Sequence, residues 1–137
     1  MHQNNEFVII MQKEGDIKMF EVHFYEDRHG EHPIKSLLNE LRDKAHTSKD
    51  ARIQHEKILT YIRSLRVYGT RIGEPVVKHI GGDIWELRPL SHRILFFYWK
   101  DNKFVLLHHF VKKTNKTPKK EIKQAERNMK DHEERND

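Results

Sequence analysis

Four apolar segments in the second half of the chain follow one another with only short breaks. They cover residues 76–80, 84–90, 94–99 and 104–111, and the turn-forming sequences GGD, PLSH and KDNK mark the changes of direction. Strands joined by such short turns pair in antiparallel fashion, because a parallel pair needs a long crossover connection. The sequence therefore predicts a four-stranded antiparallel meander.

The first half of the chain predicts one strand and two helices. Phe20, Val22 and Phe24 alternate with other residues at the period of a strand. Pro33 suits the first turn of a helix that continues to about residue 45, and the sequence HTSKD supplies caps for a second helix that ends near residue 69. The helical spacing of apolar residues predicts core positions at Ile34, Leu37, Leu38, Leu41, Ile53, Ile58, Leu59, Ile62 and Leu65.

The last part of the chain predicts a polar helix. Thr117 is its predicted N-cap and Pro118 its first residue. Its apolar stripe, formed by Ile122, Ala125 and Met129, is thin, which predicts weak packing. Together the patterns predict an α+β fold, with an N-terminal strand, a helical hairpin packed on a small antiparallel sheet, and a C-terminal helix.

Residues 1–18 look unlike the rest of the chain. Met19 directly precedes the first predicted strand, and codons for the tripeptide KEG at 13–15 can contain a purine-rich ribosome-binding sequence. One hypothesis is that Met19 is the true start and that residues 1–18 are a translated leader. The other is that residues 7–11 form an extra N-terminal strand. In both cases a length of 137 residues suits one domain, at 19–137.

The composition favours some classes of partner and excludes some kinds of site. A formal net charge of +5 favours an acidic partner, either nucleic acid or an acidic protein surface. The absence of cysteine excludes disulfides, thiolate metal sites and cysteine nucleophiles in this sequence. The longest wholly apolar run, residues 94–99, is far shorter than the roughly 20 residues that a spanning helix needs. We therefore expect a cytoplasmic protein without a membrane partner.

Two arginines lie in the otherwise apolar centre of the predicted sheet. In strand 84–90 Trp85 and Leu87 face one side, whereas Glu86 and Arg88 face the other. Arg88 and Arg93 flank the turn between two strands, so we expect their side chains to lie close together. The alternative is that both are exposed charges, with Arg88 paired to Glu86 or Glu74.

Lysines follow the last predicted strand, at positions Lys112, Lys113, Lys116, Lys119 and Lys120. If this strand lies beside the one that carries Arg93, the lysines approach the arginines and form a basic concavity suited to phosphate. A solvated run of charge is the alternative interpretation.

The eleven histidines do not form a familiar metal site. His108 and His109 are adjacent on a strand, so they face opposite ways and cannot both bind one ion. His79, His92, His108 and His109 are candidates for a proton donor. No phosphate-binding glycine loop, serine nucleophile elbow or dinucleotide fingerprint occurs, so neither a metal nor a cofactor is predicted.

A combined pattern along residues 20–129 is specific. Its members are Lys78, Trp85-Glu86-Leu87-Arg88, Arg93, His108, Phe110, Lys112-Lys113-Thr114 and Lys116-Thr117-Pro118. This pattern resembles the RelE/ParE superfamily of bacterial toxins and looks most like its HigB-like, phage-derived branch. The resemblance implies two helices packed on one face of a small antiparallel sheet whose open face carries basic residues.

The resemblance also implies a function. Many such toxins of type II toxin–antitoxin systems cleave mRNA in the ribosomal A site without a metal ion, and others poison DNA gyrase. The implied partner is a HigA-like antitoxin with a helix-turn-helix domain, through which alone the complex binds operator DNA. The leading hypothesis is therefore a ribosome-dependent mRNA endoribonuclease. The alternatives are a ParE-type gyrase inhibitor and a nucleic-acid-binding module without catalysis.

The resemblance suggests roles for individual residues. Arginine holds phosphate oxygens with two donors, so it suits a charged transition state at phosphorus. Crowded cations can lower a lysine pKa and allow it to transfer a proton. The assignments are catalysis for Arg88, Arg93, Lys112 and Lys113, and RNA binding for Lys78, His108, Lys116 and Lys119. Several ribosome-dependent members use a tyrosine near the C-terminus, but this chain has none after Val111. The general acid is therefore unassigned, with His108 or His109 as candidates.

Overall fold

The structure is a computed structural model that describes residues 19–136, and the predicted leader or extra strand at 1–18 lies outside them. The elements in chain order are β1 (Glu21–Phe24), α1 (Pro33–Lys44), α2 (Lys49–Tyr68), a 3₁₀ turn (Gly69–Ile72), β2 (Val77–Gly81), β3 (Ile84–Leu87), β4 (His92–Tyr98), β5 (Lys103–Val111) and α3 (Lys119–Asn136). This confirms the predicted α+β fold.

The described strands form one sheet in the order β1-β5-β4-β3-β2. Strands β2 to β5 are the predicted antiparallel meander. Strand β1 adds a parallel pair at the far edge, with Val22 opposite Phe104. The helical hairpin and the other three strands separate β1 from β5 along the chain, which provides the long connection that a parallel pair needs.

Helices α1 and α2 pack on one face of the sheet, as predicted. Ser48 caps α2 by accepting a hydrogen bond from the backbone N–H of Ala51 at 3.1 Å. The prediction for Ile53 is wrong, since this side chain is 45% exposed. At about 100° per residue, Ile53 lies far around the helix from the buried Ala51. Conversely, Arg66 is buried although no pattern indicated it.

Helix α3 covers much of the other face, so the expectations of weak packing and of a largely open face are wrong. Its Ala125 is fully buried, and it packs in a second apolar cluster with Ile84, Leu95, Phe97, Val105, Leu107 and Tyr25 of the sheet side. Asn128 and His132, two polar residues, extend the buried stripe of the helix. The ring of His132 meets that of Trp99 edge-on, with centroids 4.5 Å apart. A count of apolar residues underestimates how much of this helix is buried, because polar side chains supply part of its contact with the sheet.

Helix α3 begins one residue later than predicted. Pro118 accepts the first backbone hydrogen bonds through its carbonyl, from Glu121 and Ile122. The hydroxyl of Thr117 donates instead to Glu86 on the sheet. Among residues 19–136, no helix combines the length and the apolarity required to cross a bilayer.

Candidate functional site

Glu86 is the centre of a charged cluster on the α3 side of the sheet. Its side chain is 2% exposed, and a carboxylate at such depth needs partners to offset the loss of water. Thr117 donates its hydroxyl hydrogen to Oε2 at 2.7 Å. The Nε atoms of Arg88 and Arg93 lie 3.5 Å and 4.0 Å from Oε1. The two arginines are therefore close together, as the turn between them predicted.

Arg88 connects the buried carboxylate to the surface. Its Nη1 lies 3.8 Å from Oε1 of Glu74, which is 65% exposed, while its Nε lies near Glu86. Pairing with Glu86 or Glu74 was the alternative interpretation of this residue, and both pairs are present. The side chain is only 20% exposed, however, so it is not a free surface charge.

Arg93 holds the turn between β3 and β4. Its Nη1 donates to the carbonyl oxygens of Leu90 and His92, each at 2.8 Å. Burial, and next the charge of Arg88, lower the pKa of Arg93, whereas Glu86 raises it. The Nη1 atom of Arg93 is thus hydrogen-bonded to two backbone carbonyls. The predicted role of Arg93 at a phosphate stays a prediction.

Lys78 and Lys116 lie near the same carboxylate. Lys78 on β2 is directly opposite Glu86 on β3, so their side chains share a face. A pocket of about 200 Å³ lies here, lined by Lys78, Glu86, Lys116, Thr117 and Ile122, among others. Lys78 and Lys116 are both exposed. The structure therefore brings together Lys78, Lys116 and Arg88 of the predicted site.

Lys112 lies at the same end of the sheet as Arg93. Its backbone N–H donates to the carbonyl of Ser91 at 2.7 Å, and Phe110 is paired with Arg93 across the strands. Continued strand alternation points Lys112 to the same face as Phe110 and Arg93. Lys113 and Lys119 are exposed, and within residues 19–136 no hydrogen bond or ion pair joins either of them to the arginines.

His108 faces α3 because of an irregularity in β5. Leu95 is opposite His108 while Phe96 is opposite Leu106, so Leu107 is an additional residue in β5. Such a bulge interrupts alternation and turns His108 toward the helix. Its Nε2 lies 2.7 Å from Oε1 of Glu121. His108, predicted to bind RNA, therefore contacts Glu121 in this structure.

The start of α3 is attached to the sheet at two points. Thr117 binds Glu86 on β3, and Glu121 binds His108 on β5, with β4 between them. Helix capping was the structural role predicted for Thr117, and Glu121 was not among the predicted site residues. A charged residue within an apolar strand, as at Glu86, was the available signal that a partner must come from elsewhere in the chain.

His92 and His109 form a separate chain of hydrogen bonds. Gln54 Nε2 donates to Asp50 at 2.6 Å, which leaves Gln54 Oε1 to accept from His92 Nε2 at 2.5 Å. The Nδ1 of a neutral His92 then accepts from His109 Nε2 at 2.9 Å. Burial, and then the charge of Arg93, lower the pKa of His92. Burial, with His92 and His108, lowers the pKa of His109 to about 4.

The site has the composition of an anion-binding surface. In the part of the chain that the structure describes, no three histidine, aspartate or glutamate side chains come together as metal ligands would. Exposed Lys78 and Lys116 line the pocket at Glu86, which Arg88 and Arg93 also approach, and the carboxylates of Glu86 and Glu74 offset part of this positive charge. Such a surface can bind phosphate groups and stabilise negative charge.

Comparison with known proteins gives a family. Residues 46–130 match the family described as "Phage derived protein Gp49-like (DUF891)", and this range contains α2, the four-stranded meander and most of α3. All eight predicted site residues lie within it. No curated protein matches the chain. The match covers more than half of the chain. The chain therefore belongs to the phage-derived Gp49-like family, which is a RelE/toxin-like family.

Proposed function

We propose that this protein is a toxin of a type II toxin–antitoxin system, of the HigB-like branch, that cleaves mRNA on the ribosome without a metal ion. The observation that carries the proposal is the group formed by Lys78, Arg88 and Lys116 around Glu86, with Lys112 at the adjacent strand end. These cations match a polyanion in charge, and family membership supports a toxin.

The proposed reaction is cleavage of RNA by its own 2′-hydroxyl. The 2′-hydroxyl loses its proton to a base, and its O2′ atom attacks the adjacent phosphorus. The bond from phosphorus to O5′ breaks and O5′ takes a proton from an acid, which leaves a 2′,3′-cyclic phosphate and a 5′-hydroxyl. This chemistry needs stabilisation of the charged phosphorane and transfer of protons. In the proposal Arg88 and Arg93 stabilise the phosphorane, Lys112 or Lys113 takes part in proton transfer, and the RNA backbone is held by Lys78, His108, Lys116 and Lys119.

Arg88 is the arginine best placed to exchange a protein partner for a phosphate. Its contact with Glu74 is long, at 3.8 Å, and involves an exposed carboxylate. Exposed ion pairs contribute roughly 0–1 kcal/mol, so a phosphate oxygen can replace Glu74 at small cost. Arg93 is buried and committed to the turn, which suits a fixed charge behind the phosphate.

The proposed partners follow from the same assignment. The substrate is mRNA on the ribosome, and the inhibitor is a HigA-like antitoxin with a helix-turn-helix domain, through which the complex binds operator DNA. The proposed location is the cytoplasm, where mRNA is translated.

The test is induction of the protein in bacterial cells, followed by mapping of mRNA 5′ ends. We expect wild type to produce new 5′ ends within translated regions. Arg88→Ala should reduce cutting about a hundredfold, which is the usual loss when one donor to a transition state is removed. Lys112→Ala should also reduce cutting.

The matched control is Lys130→Ala, which removes an exposed cation about three turns along α3 from its start and should leave cutting unchanged. Growth arrest with intact mRNA and broken DNA would instead indicate a gyrase-directed, ParE-type toxin. Full cutting by both Arg88→Ala and Lys112→Ala would overturn the residue assignment.

A further inference from the structure

Leu90, at the turn between β3 and β4, has an unusual backbone conformation for its residue type. Its φ is +57°, and the other non-glycine residues from 19 to 136 with positive φ are Asp101 and Asn102. Asp and Asn tolerate this left-handed region because their short polar side chains bond locally, whereas a bulky leucine is disfavoured there. Glycine would adopt it without strain.

Packing does not compensate Leu90 for this strain. The residue is 47% exposed, so its side chain is not held by a core. The turn itself is held by hydrogen bonds to its carbonyl oxygens: the Nη1 of Arg93 donates to Leu90 at 2.8 Å, and the backbone N–H of His92 donates to Pro89 at 3.0 Å. These bonds would persist with glycine at position 90. An isolated exposed leucine is ordinary, but one fixed in a strained conformation without burial calls for an external contact.

Leu90 lies beside the cationic cluster. Its carbonyl accepts from Arg93, Arg88 comes two residues before it in the chain, and Ser91 is bonded to the backbone N–H of Lys112. The exposed Val111 at the same end of the sheet is paired with His92, so strand alternation points it to the helical-hairpin face, away from the cations. Leu90 is therefore the exposed apolar residue that adjoins the cluster.

We propose that Leu90 receives the base of a single-stranded RNA nucleotide whose phosphate binds the adjacent cations, so that it is a substrate-binding and specificity-determining residue. This inference rests on the proposed function. A nucleotide presents an apolar base face next to an anionic phosphate, and proteins that bind single strands combine these two contacts. Arg93 connects the two parts physically, since it holds the Leu90 carbonyl and lies beside Glu86.

The test is Leu90→Gly, analysed by the same induction and 5′-end mapping in cells. The variant removes the side chain and relieves the strain, so the purified protein should melt at the wild-type temperature or above it. We expect about tenfold less cutting, equivalent to about 1.4 kcal/mol. We also expect a changed distribution of bases beside the remaining cuts, which a merely structural role for Leu90 would not produce.

The matched control is Ile53→Ser on α2, because the aliphatic side chain of Ile53 is 45% exposed, close to the 47% of Leu90. Serine is used because glycine within a helix would itself lower stability. Ile53→Ser should leave both the amount and the base distribution of cuts unchanged. If Leu90→Gly cuts mRNA as much as wild type does, with the same distribution of bases beside the cuts, the inference is overturned while the proposed function stands. If that variant also no longer copurifies with a coexpressed antitoxin, Leu90 is a protein contact instead. If wild type itself makes no cuts, the proposed function fails and the inference falls with it.

Discussion

A charged side chain inside a buried strand needs partners on several sides, and Glu86 has three. Its carboxylate accepts from Thr117 and lies between Arg88 and Arg93. The arrangement explains how two guanidinium groups can lie at the central strands without unfolding the sheet. Their positive charge is partly offset from within, while exposed lysines leave the outer surface basic.

The dependence of the arginines on Glu86 can be measured. Glu86→Gln keeps the shape of the side chain but removes the charge that faces two largely buried cations. We expect the free energy of unfolding to fall by about 3 kcal/mol, the usual cost of leaving a buried charge without its partner. Urea denaturation of wild type and variant would measure it.

Glu74→Gln is the matched control, because it removes the exposed carboxylate beside the same Arg88. An exposed pair contributes less than about 1 kcal/mol, so this variant should remain near wild type. Equal losses from both substitutions would show that burial of Glu86 does not set the energy of the cluster.

At the scale of the element, α3 and the bulge in β5 depend on each other. The additional residue Leu107 leaves its carbonyl outside the regular ladder, and Asn128 Nδ2 donates to that oxygen at 2.9 Å. At the far end of the helix, Asp131 accepts from the hydroxyl of Tyr25 at 2.6 Å. Burial and Asp131 raise the pKa of Tyr25 to about 12, so this tyrosine remains a donor at neutral pH.

Asn128→Ala should therefore cost more than an ordinary surface change on α3. It leaves the buried Leu107 carbonyl without its donor, and an unsatisfied buried group costs about 1–3 kcal/mol. Gln124→Ala is the control, because Gln124 donates to Asn128 on the same helix but not to the sheet. Thermal unfolding of both variants would test the difference, and an equal loss of stability would contradict a special role for the Leu107 carbonyl.

At the scale of the whole molecule, local patterns predicted most elements but not how the second face is covered. The meander and the helical hairpin follow from short turns and apolar periodicity, which depend on neighbouring residues. The burial of α3 depends on polar residues, such as Asn128 and His132, whose partners are distant in sequence. The pairing of Thr117 with Glu86 joins residues 31 positions apart, so spacing alone does not reveal it. Of the site, the proximity of Arg88 and Arg93 was predictable because a single short turn connects them.

Protonation of His109 should lower the stability of the molecule in weak acid. This residue is on β5, and its side chain contacts His92 of β4 and lines a pocket with residues of α1 on the helical-hairpin face. Its pKa is lowered to about 4 in the folded protein, against an ordinary value of 6.5. The unfolded chain therefore binds a proton first as the pH falls, so stability is lost between about pH 6.5 and pH 4 and the loss levels off below. The loss attributable to His109 is on the order of 3 kcal/mol, at about 1.4 kcal/mol for each pKa unit. His109→Gln keeps a nitrogen donor toward His92 but cannot titrate, so its unfolding free energy should fall less than that of wild type between pH 7 and pH 4. Urea denaturation at several pH values would measure both curves, and parallel curves would show that His109 does not contribute to the acid sensitivity of the fold.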